Sequence, residues 1–193
     1  IDLFRRFQRT FARGFGVPCG VIGPAHEIGR AVLAHEPLSV ALAILQIEWM
    51  TQAHYVESVK NDAALEPHFK ELLRCHWLEE AQHARMDTLI VELLAERCSA
   101  AERARALEGY LSIGALVAGG LAQQLELDIE AFEAKVGRKL TPEVGRQVRA
   151  VQLSANHFTY LGSGMLHPKF QRTVAGLGPE LLARVQEVAA AFC

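Results

Sequence analysis

The sequence lacks the features that mark membrane-spanning proteins, β-hairpin proteins and strongly charged binding proteins. No uninterrupted apolar run reaches the roughly 18 residues of a transmembrane helix, so we expect no membrane span. The dipeptides Asn-Gly and Asp-Gly, which mark tight β-hairpins, do not occur, and alternation with a period of two is hardly sustained. The formal net charge is −2, with both signs mixed along the chain. We therefore expect neither a nucleic-acid partner nor a membrane partner.

Cysteine is also scarce, and its spacing does not indicate disulfides. The four cysteines, Cys19, Cys75, Cys98 and Cys193, are scattered without a Cys-x-x-Cys pair. A chain of 193 residues is large enough to fold around an apolar core without disulfides. The sequence begins with Ile and has no signal-peptide pattern. We therefore expect ordinary thiols in a cytoplasmic protein, of which this chain is the ordered or processed part.

Half of the residues are apolar, and their spacing predicts a single all-α domain. Long helices are expected over residues 37–60, 67–97, 104–136 and 142–161, and these form a four-helix core over residues 37–161. Residues 1–36 are an N-terminal segment with short helices at 4–15 and 24–35. Residues 162–193 are a loop, to about residue 178, followed by a short closing helix at 179–191.

The first short helix has Phe every three or four residues with Arg between them. This pattern is typical of a segment that packs or docks on the same protein. It is also found in segments that bind a membrane surface or a partner, and this alternative stays open.

Ionisable residues lie on the apolar face of the second long helix. His76, Glu80, His83 and Asp87 follow at i, i+4, i+7 and i+11, which brings them to one side of a helix. Apolar residues continue the same stripe at both ends. An unpaired charge is costly on such a face, so the pattern indicates a metal site or a network that shares protons. The alternative is a helix face that is partly exposed to water.

A carboxylate on the first long helix should lie opposite this stripe. Residues 39–50 are apolar almost all round, which predicts a buried central helix, and the charged Glu48 interrupts this apolar stretch. A connection of about six residues makes the first two long helices antiparallel neighbours. Counting residues outward from that connection along each helix puts Glu48 and Glu80 at the same level, which means the same height along the axis of the antiparallel pair. Two carboxylates and His83 are therefore expected to converge.

The third and fourth long helices offer one further candidate ligand each. Glu126 is the best inward candidate on the third helix, although a solvated acidic face that includes Glu130 and Glu133 would give the same pattern. His157 lies at the centre of the apolar stripe of the fourth helix. It is a candidate ligand, with a hydrogen-bonded core histidine as the alternative.

The candidate ligands carry a resemblance to a known superfamily. Two carboxylates beside an imidazole suit iron or manganese better than structural zinc. With Glu80-Ala81-Gln82-His83 on the second helix, the set resembles the ferritin-like di-iron carboxylate superfamily, which takes a Glu from each of two helices and a Glu-x-x-His from each of two others. His76 makes the run His-x-x-x-Glu-x-x-His, which is similar to one ligand helix of the arylamine N-oxygenase branch. The metal ligands that this resemblance implies are Glu48, Glu80, His83, Glu126, His157 and His76.

The chain departs from the superfamily pattern at two points. The fourth helix reads Ser154-Ala155-Asn156-His157 where Glu-x-x-His is expected, so one ligand is missing unless Asp87, Glu130 or His76 replaces it. Members of the superfamily usually join the second and third helices by a crossover along the bundle. If the short break at residues 98–103 is a simple turn instead, Glu126 would miss the level of Glu80.

The resemblance implies that two irons, or alternatively manganese or zinc, activate O2 or peroxide for a small-molecule substrate. Tyr55 and Tyr160 would be redox or hydrogen-bonding groups near the metal. A second hypothesis is a metal-free bundle that acts as a binding or assembly module, which Ser154 favours. A third is a single-metal hydrolase with Glu126 or Asp87 as the base. Bundles with an exposed apolar flank often dimerise, so a homodimer is also expected.

Overall fold

The protein is all-helical in the computed structural model, which describes residues 2–192. The helices are α1 (Asp2–Phe15), α2 (Ala25–Leu33), α3 (Pro37–His54), α4 (Pro67–Glu96), α5 (Ala100–Val136), α6 (Pro142–His157), α7 (Ser163–Leu166), α8 (Pro168–Leu177) and α9 (Pro179–Ala189). A π-helical turn, Tyr55–Val59, continues α3, and a second, Phe158–Gly162, joins α6 to α7. A short 3₁₀ turn, Ala190–Phe192, follows α9. The prediction of an all-α fold is confirmed, and among the described residues no helix is long and apolar enough to cross a membrane.

Proline and local caps set most of the helix boundaries. Proline occupies the first turn of α3, α4, α6, α8 and α9, where its missing N–H costs no intrahelical hydrogen bond. The prediction of a loop over residues 162–178 is therefore wrong. Pro168 begins helix α8 there and is not part of a loop. Ser99 and Glu102 form a reciprocal capping box at the start of α5. Gly137, with φ of 70°, ends α5 in the left-handed conformation.

The connection between α4 and α5 is a simple turn and not a crossover. Only Arg97, Cys98 and Ser99 separate the two helices. Of the two topologies that the sequence left open, the structure therefore has the turn. Because α5 then runs uninterrupted for 37 residues, or about 55 Å, its second half lies beyond the level of Glu80 on α4.

Helix α3 forms the centre of the core, as its apolar sequence predicts. It packs against α4, α5 and α7, and Leu42 and Leu45 are completely buried on it. Buried polar groups of α3 also bond to its neighbours: Ser39 Oγ donates to the carbonyl oxygen of Ala106 at 2.8 Å. Helices α8 and α9 pack on each other, and both contribute to the same core.

The side chain of Gln46 ties α3 to the second π-helical turn. Its Nε2 atom donates to the carbonyl oxygens of Tyr160 and Leu161 at 3.0 and 3.3 Å. A π-helical turn departs from the usual i to i−4 pattern, and Gln46 supplies a donor to carbonyl groups in it. Gly164 follows one turn later, and a β-carbon there would clash with the main-chain oxygen of Gln46. The two helices can approach this closely because Gly164 has no side chain.

The N-terminal helix α1 packs on the beginning of α4. The rings of Phe7 and Phe69 lie 5.2 Å apart, and the ring of Phe4 meets the edge of His76 at the same distance. These contacts agree with the prediction of a packing segment. No residue of α1 is buried, and Phe11 is 59 % exposed, so α1 is a surface helix.

Candidate functional site

Helices α3 and α4 bring Glu48, Glu80 and His83 together. One potential ligand atom from each of the three side chains lies within 4.8 Å of the other two. We call these three residues the carboxylate cluster. Residue counting predicts that Glu48 and Glu80 lie at the same level on the two helices, and the structure confirms this prediction. Gln52 Nε2 donates to the carbonyl oxygen of Trp77 at 2.9 Å, which fixes the register of the two helices one turn away.

Two histidines of its own helix lie next to Glu80. His83 Nδ1 is hydrogen-bonded to Glu80 Oε2 at 2.6 Å, and His76 Nδ1 lies 3.0 Å from Glu80 Oε1, within ion-pair distance. The side chain of Glu80 is only 16 % exposed, so these contacts help to compensate for lost water. Since an ionised carboxylate only accepts hydrogen bonds, His83 presents Nδ1–H to Glu80. In the neutral ring of His83, Nε2 is then the nitrogen with a free lone pair.

The two carboxyl groups of the cluster differ in how readily they ionise. Burial raises the pKa of Glu48 to about 8, and the hydrogen bond to Glu80 and the charge of Glu80 act in the same direction. Burial also opposes ionisation of Glu80, but hydrogen bonds from Glu48 and His83 outweigh it and hold the pKa of Glu80 below its usual value. The bond to Glu80 raises the pKa of His83. At neutral pH the favoured state is thus a protonated Glu48 that donates to an ionised Glu80.

One oxygen of the cluster is buried without a partner. Glu48 Oε2 is inaccessible to solvent and accepts no hydrogen bond from the described residues. Buried polar atoms are nearly always satisfied, and a water molecule or an ion is a common partner where no protein group serves. The cluster as a whole offers two carboxylates, which are hard ligands, and an imidazole, which is a borderline one. The residues present therefore fit a divalent transition metal.

Asp87 lies one turn beyond His83 and is close enough to affect the cluster. Burial raises its pKa, and its charge in turn raises the pKa of Glu48. It is not one of the three residues whose ligand atoms meet. Asp87 is thus placed to influence the protonation of the cluster, and its predicted catalytic role stays a prediction.

A cavity of about 190 Å³ lies beside the cluster, on the side of His76. Tyr55 and Tyr160, the two tyrosines predicted near the metal, both line it. Tyr55 is buried and stacks on Trp77 at 5.0 Å, whereas Tyr160 is half-exposed. The remaining wall is mostly apolar, and its residues are Phe4, Met50, Thr51, His54, Val59, Leu73 and Thr159.

Both π-helical turns contribute to this cavity. Tyr55 and Val59 come from the first turn, and Thr159 and Tyr160 come from the second. Such turns are rare and occur often at functional sites. Neither turn could be predicted from the sequence, because the residues on both have the pattern of an ordinary α-helix.

The structure places Glu126 and His157 outside the cluster, so the inward position expected for Glu126 is wrong. The exposed carboxylate of Glu126 accepts two hydrogen bonds from Arg149, at 2.8 and 2.7 Å. The turn before α5 carries Glu126 past the level of Glu80 by about 15 Å at 1.5 Å per residue. His157 instead meets the ring of Phe192 edge-on at 5.3 Å, and its Nε2 is buried without a partner among the described residues. Helices α5 and α6 therefore add no ligand to the carboxylate cluster.

No protein-family model, curated protein or solved structure matches this chain, so its function has to be inferred from the geometry of the site.

Proposed function

We propose that the protein binds iron or manganese at Glu48, Glu80 and His83 and is an oxidase or oxygenase that acts on a small molecule. The observation that carries the proposal is the convergence of three ligand side chains, one of which, Glu48, has a buried oxygen without a partner among the described residues. In this proposal α3 and α4 correspond to one half of a ferritin-like di-iron site, which supplies one Glu and one Glu-x-x-His. Each chain then holds one metal ion.

The donor set supports iron or manganese over a structural zinc ion. Structural zinc prefers thiolate and imidazole ligands in a closed tetrahedron, and the cluster contains no thiol. The nearest cysteine along α4 is Cys75, which is exposed and donates to Glu71 Oε1 at 3.6 Å. Two carboxylates and one imidazole leave open coordination positions on an ion that prefers five or six ligands.

The residues around the cluster have distinct roles in this proposal. Glu48 must release its proton before it can act as a ligand, so metal binding is coupled to proton release. His76 lies 3.0 Å from one oxygen of Glu80 and helps to orient this carboxylate without itself binding the metal. Iron or manganese, when bound, supplies redox chemistry with O2 or peroxide. The adjacent cavity, with Tyr55 and Tyr160 on its wall, holds the small-molecule substrate.

Metal binding by the purified protein tests this proposal. Isothermal titration with Mn(II), and with Fe(II) under anaerobic conditions, should give one ion per chain for the wild type. Glu80→Ala and His83→Ala each remove a ligand, and each should weaken binding at least about 100-fold. Glu126→Ala is the matched control, because this carboxylate is bound to Arg149 outside the cluster, and it should bind like the wild type.

A third titration, with Zn(II), separates the alternative functions. Tight binding of zinc with no binding of iron or manganese would favour the single-metal hydrolase. No binding of any of the three metals would refute the proposal. The cluster would then be a buried carboxylate pair that shares a proton in a binding module.

A further inference from the structure

The carboxylate cluster is half of a di-metal ligand set. A complete set has a Glu from each of two helices and a Glu-x-x-His from each of two others. Glu48 on α3 and Glu80 with His83 on α4 supply one of each. The other half is missing from the described residues, because Glu126 is bound to Arg149 and Ser154 stands where a Glu is required.

The cluster is open on one side, and that side is apolar. The side chain of His83 is 43 % exposed there. At 100° per residue, Ile44 and Ile47 of α3 lie on the same side of the helix pair as Met86, Ile90 and Leu93 of α4. We call this set the open face, and its five side chains are each between 40 % and 53 % exposed.

The described helices leave the open face uncovered, although they cover neighbouring parts of the same two helices. Helix α1 covers the first turns of α4, at Phe69 and His76. Helices α5 and α7 pack on other sides of α3. An apolar surface of this kind beside a group of ionisable residues indicates an interaction site.

We propose that a second copy of this chain binds the open face by two-fold symmetry and completes a di-metal site between the two protomers. This inference rests on the proposed metal binding at Glu48, Glu80 and His83. The occupant has to bring two carboxylates and an imidazole to the exposed side of His83, and a second copy carries this set on the matching surface. In an isologous contact the same patch meets itself, so the two clusters face each other across the axis.

The chemistry of the open face agrees with this occupant. All five of its residues are apolar, so their contact with a second copy buries no charge of their own. The exposed Glu79 lies on the same side of α4, and its carboxylate has to remain in contact with water in the dimer. The paired clusters contain four carboxylates and two imidazoles, with His76 beside each Glu80. Such a set has the composition of a complete di-iron or di-manganese site. Neither protomer contributes this set alone.

Mn(II) provides two readouts that do not depend on catalysis. We expect sedimentation velocity of the full chain with Mn(II) to show a dimer that holds two ions. We expect its electron paramagnetic resonance spectrum to show exchange coupling between two Mn(II) ions, in place of the six-line signal of an isolated ion. Coupling requires two ions close enough to share ligands, so a dimer formed through another surface would not produce it.

Two surface variants separate this interface from other contacts. Ile90→Glu introduces a charge into the open face, and we expect a monomer that binds one Mn(II) with the six-line signal. Val151→Glu is the matched control: Val151 is 71 % exposed on α6, away from the open face, and the variant should dimerise like the wild type. Circular dichroism establishes that both variants are folded.

The outcomes distinguish failure of this inference from failure of the proposed function. Wild-type protein that binds one Mn(II) per chain as a monomer, or as a dimer without coupling, overturns the shared site and leaves the metal site intact. Dimerisation and coupling that persist in Ile90→Glu also overturn it, because the open face would not be the interface. If no Mn(II) binds, or if binding persists in Glu80→Ala, the proposed function fails and the shared site fails with it.

Discussion

Replacing Glu48 by glutamine in the metal-free protein tests whether this residue holds the proton of the cluster. Because burial raises the pKa of Glu48 from 4.5 to about 8, the folded state binds the proton more tightly than the unfolded chain does. The contribution of this proton to stability is therefore complete below about pH 4.5 and is lost as the pH rises through about 8. Glutamine keeps the shape of the side chain and cannot lose a proton, so Glu48→Gln should remove this part of the pH dependence.

The size of the effect follows from the exposure of the site. The unfolding free energy falls by about 1.4 kcal/mol per pH unit where the folded state holds one proton more than the unfolded chain. Glu48 is only half-buried, so solvent screening makes its pKa shift smaller and narrows this pH range. We therefore expect the wild type to lose about 1 kcal/mol more than Glu48→Gln between about pH 6.5 and pH 8.

The range from about pH 6.5 to pH 8 avoids the pH values at which His167 and Glu80 change the free energy of unfolding. Burial lowers the pKa of His167, which makes stability rise with pH only up to about the usual value of 6.5. The lowered pKa of Glu80 acts below about 4.5. The raised pKa of His83 lowers stability as the pH rises above about 6.5, but this residue is present in both proteins, so comparing them reduces its effect.

Urea denaturation with a chelator present, at several pH values across this range, measures the difference. Glu130→Gln, which removes an exposed carboxylate of α5, is the control and should follow the wild type. If wild type and Glu48→Gln lose stability in parallel as the pH rises, Glu48 does not carry the proton, and the account of the cluster given above is wrong.

Two further predictions concern the packing that holds the site. Gly164→Ala should lower the free energy of unfolding by about 2 to 3 kcal/mol in urea denaturation, because its β-carbon would clash with Gln46. Gly119→Ala is the control: its β-carbon has no atom within 4 Å, so this substitution should be neutral or stabilising. Equal effects of the two substitutions would contradict the close approach of α7 to α3. Tyr110→Phe should raise the free energy of unfolding by about 1 kcal/mol, because the buried hydroxyl group has no hydrogen-bond partner among the described residues. A clear loss of stability in the same assay would mean that the hydroxyl group is bound to something, such as a water molecule.

The central pair of helices and their cluster could be predicted from local features. Helix α3 is apolar almost all round, Pro67 begins α4, and a short connection makes the two helices antiparallel. These features act over a few residues, and together they determine the level of Glu48 relative to Glu80. A periodicity of 3.6 residues then places His83 on the same side as Glu80. None of these inferences required knowledge of how distant parts of the chain pack.

The predictions that Glu126 and His157 lie at the metal site failed, because the position of each residue depends on contacts with distant parts of the chain. Helical periodicity shows that Glu126 and His157 each lie on a particular side of a helix, but it does not show what that side faces. The side of Glu126 faces Arg149 of α6. The ring of His157 instead meets Phe192, which lies 35 residues further along the chain.

The sequence by itself determined the helical class, the start of the long helices α3, α4 and α6 at proline and the convergence of Glu48, Glu80 and His83, because these depend on local geometry and one short connection. Only the tertiary structure decided that α5 continues past the cluster, that two π-helical turns border a cavity and that one side of the cluster stays open. These features depend on which helices pack together, and packing joins residues that are far apart in the chain. The bonds from Gln46 to Tyr160 and Leu161 are one such case, since they join α3 to a turn more than 100 residues later.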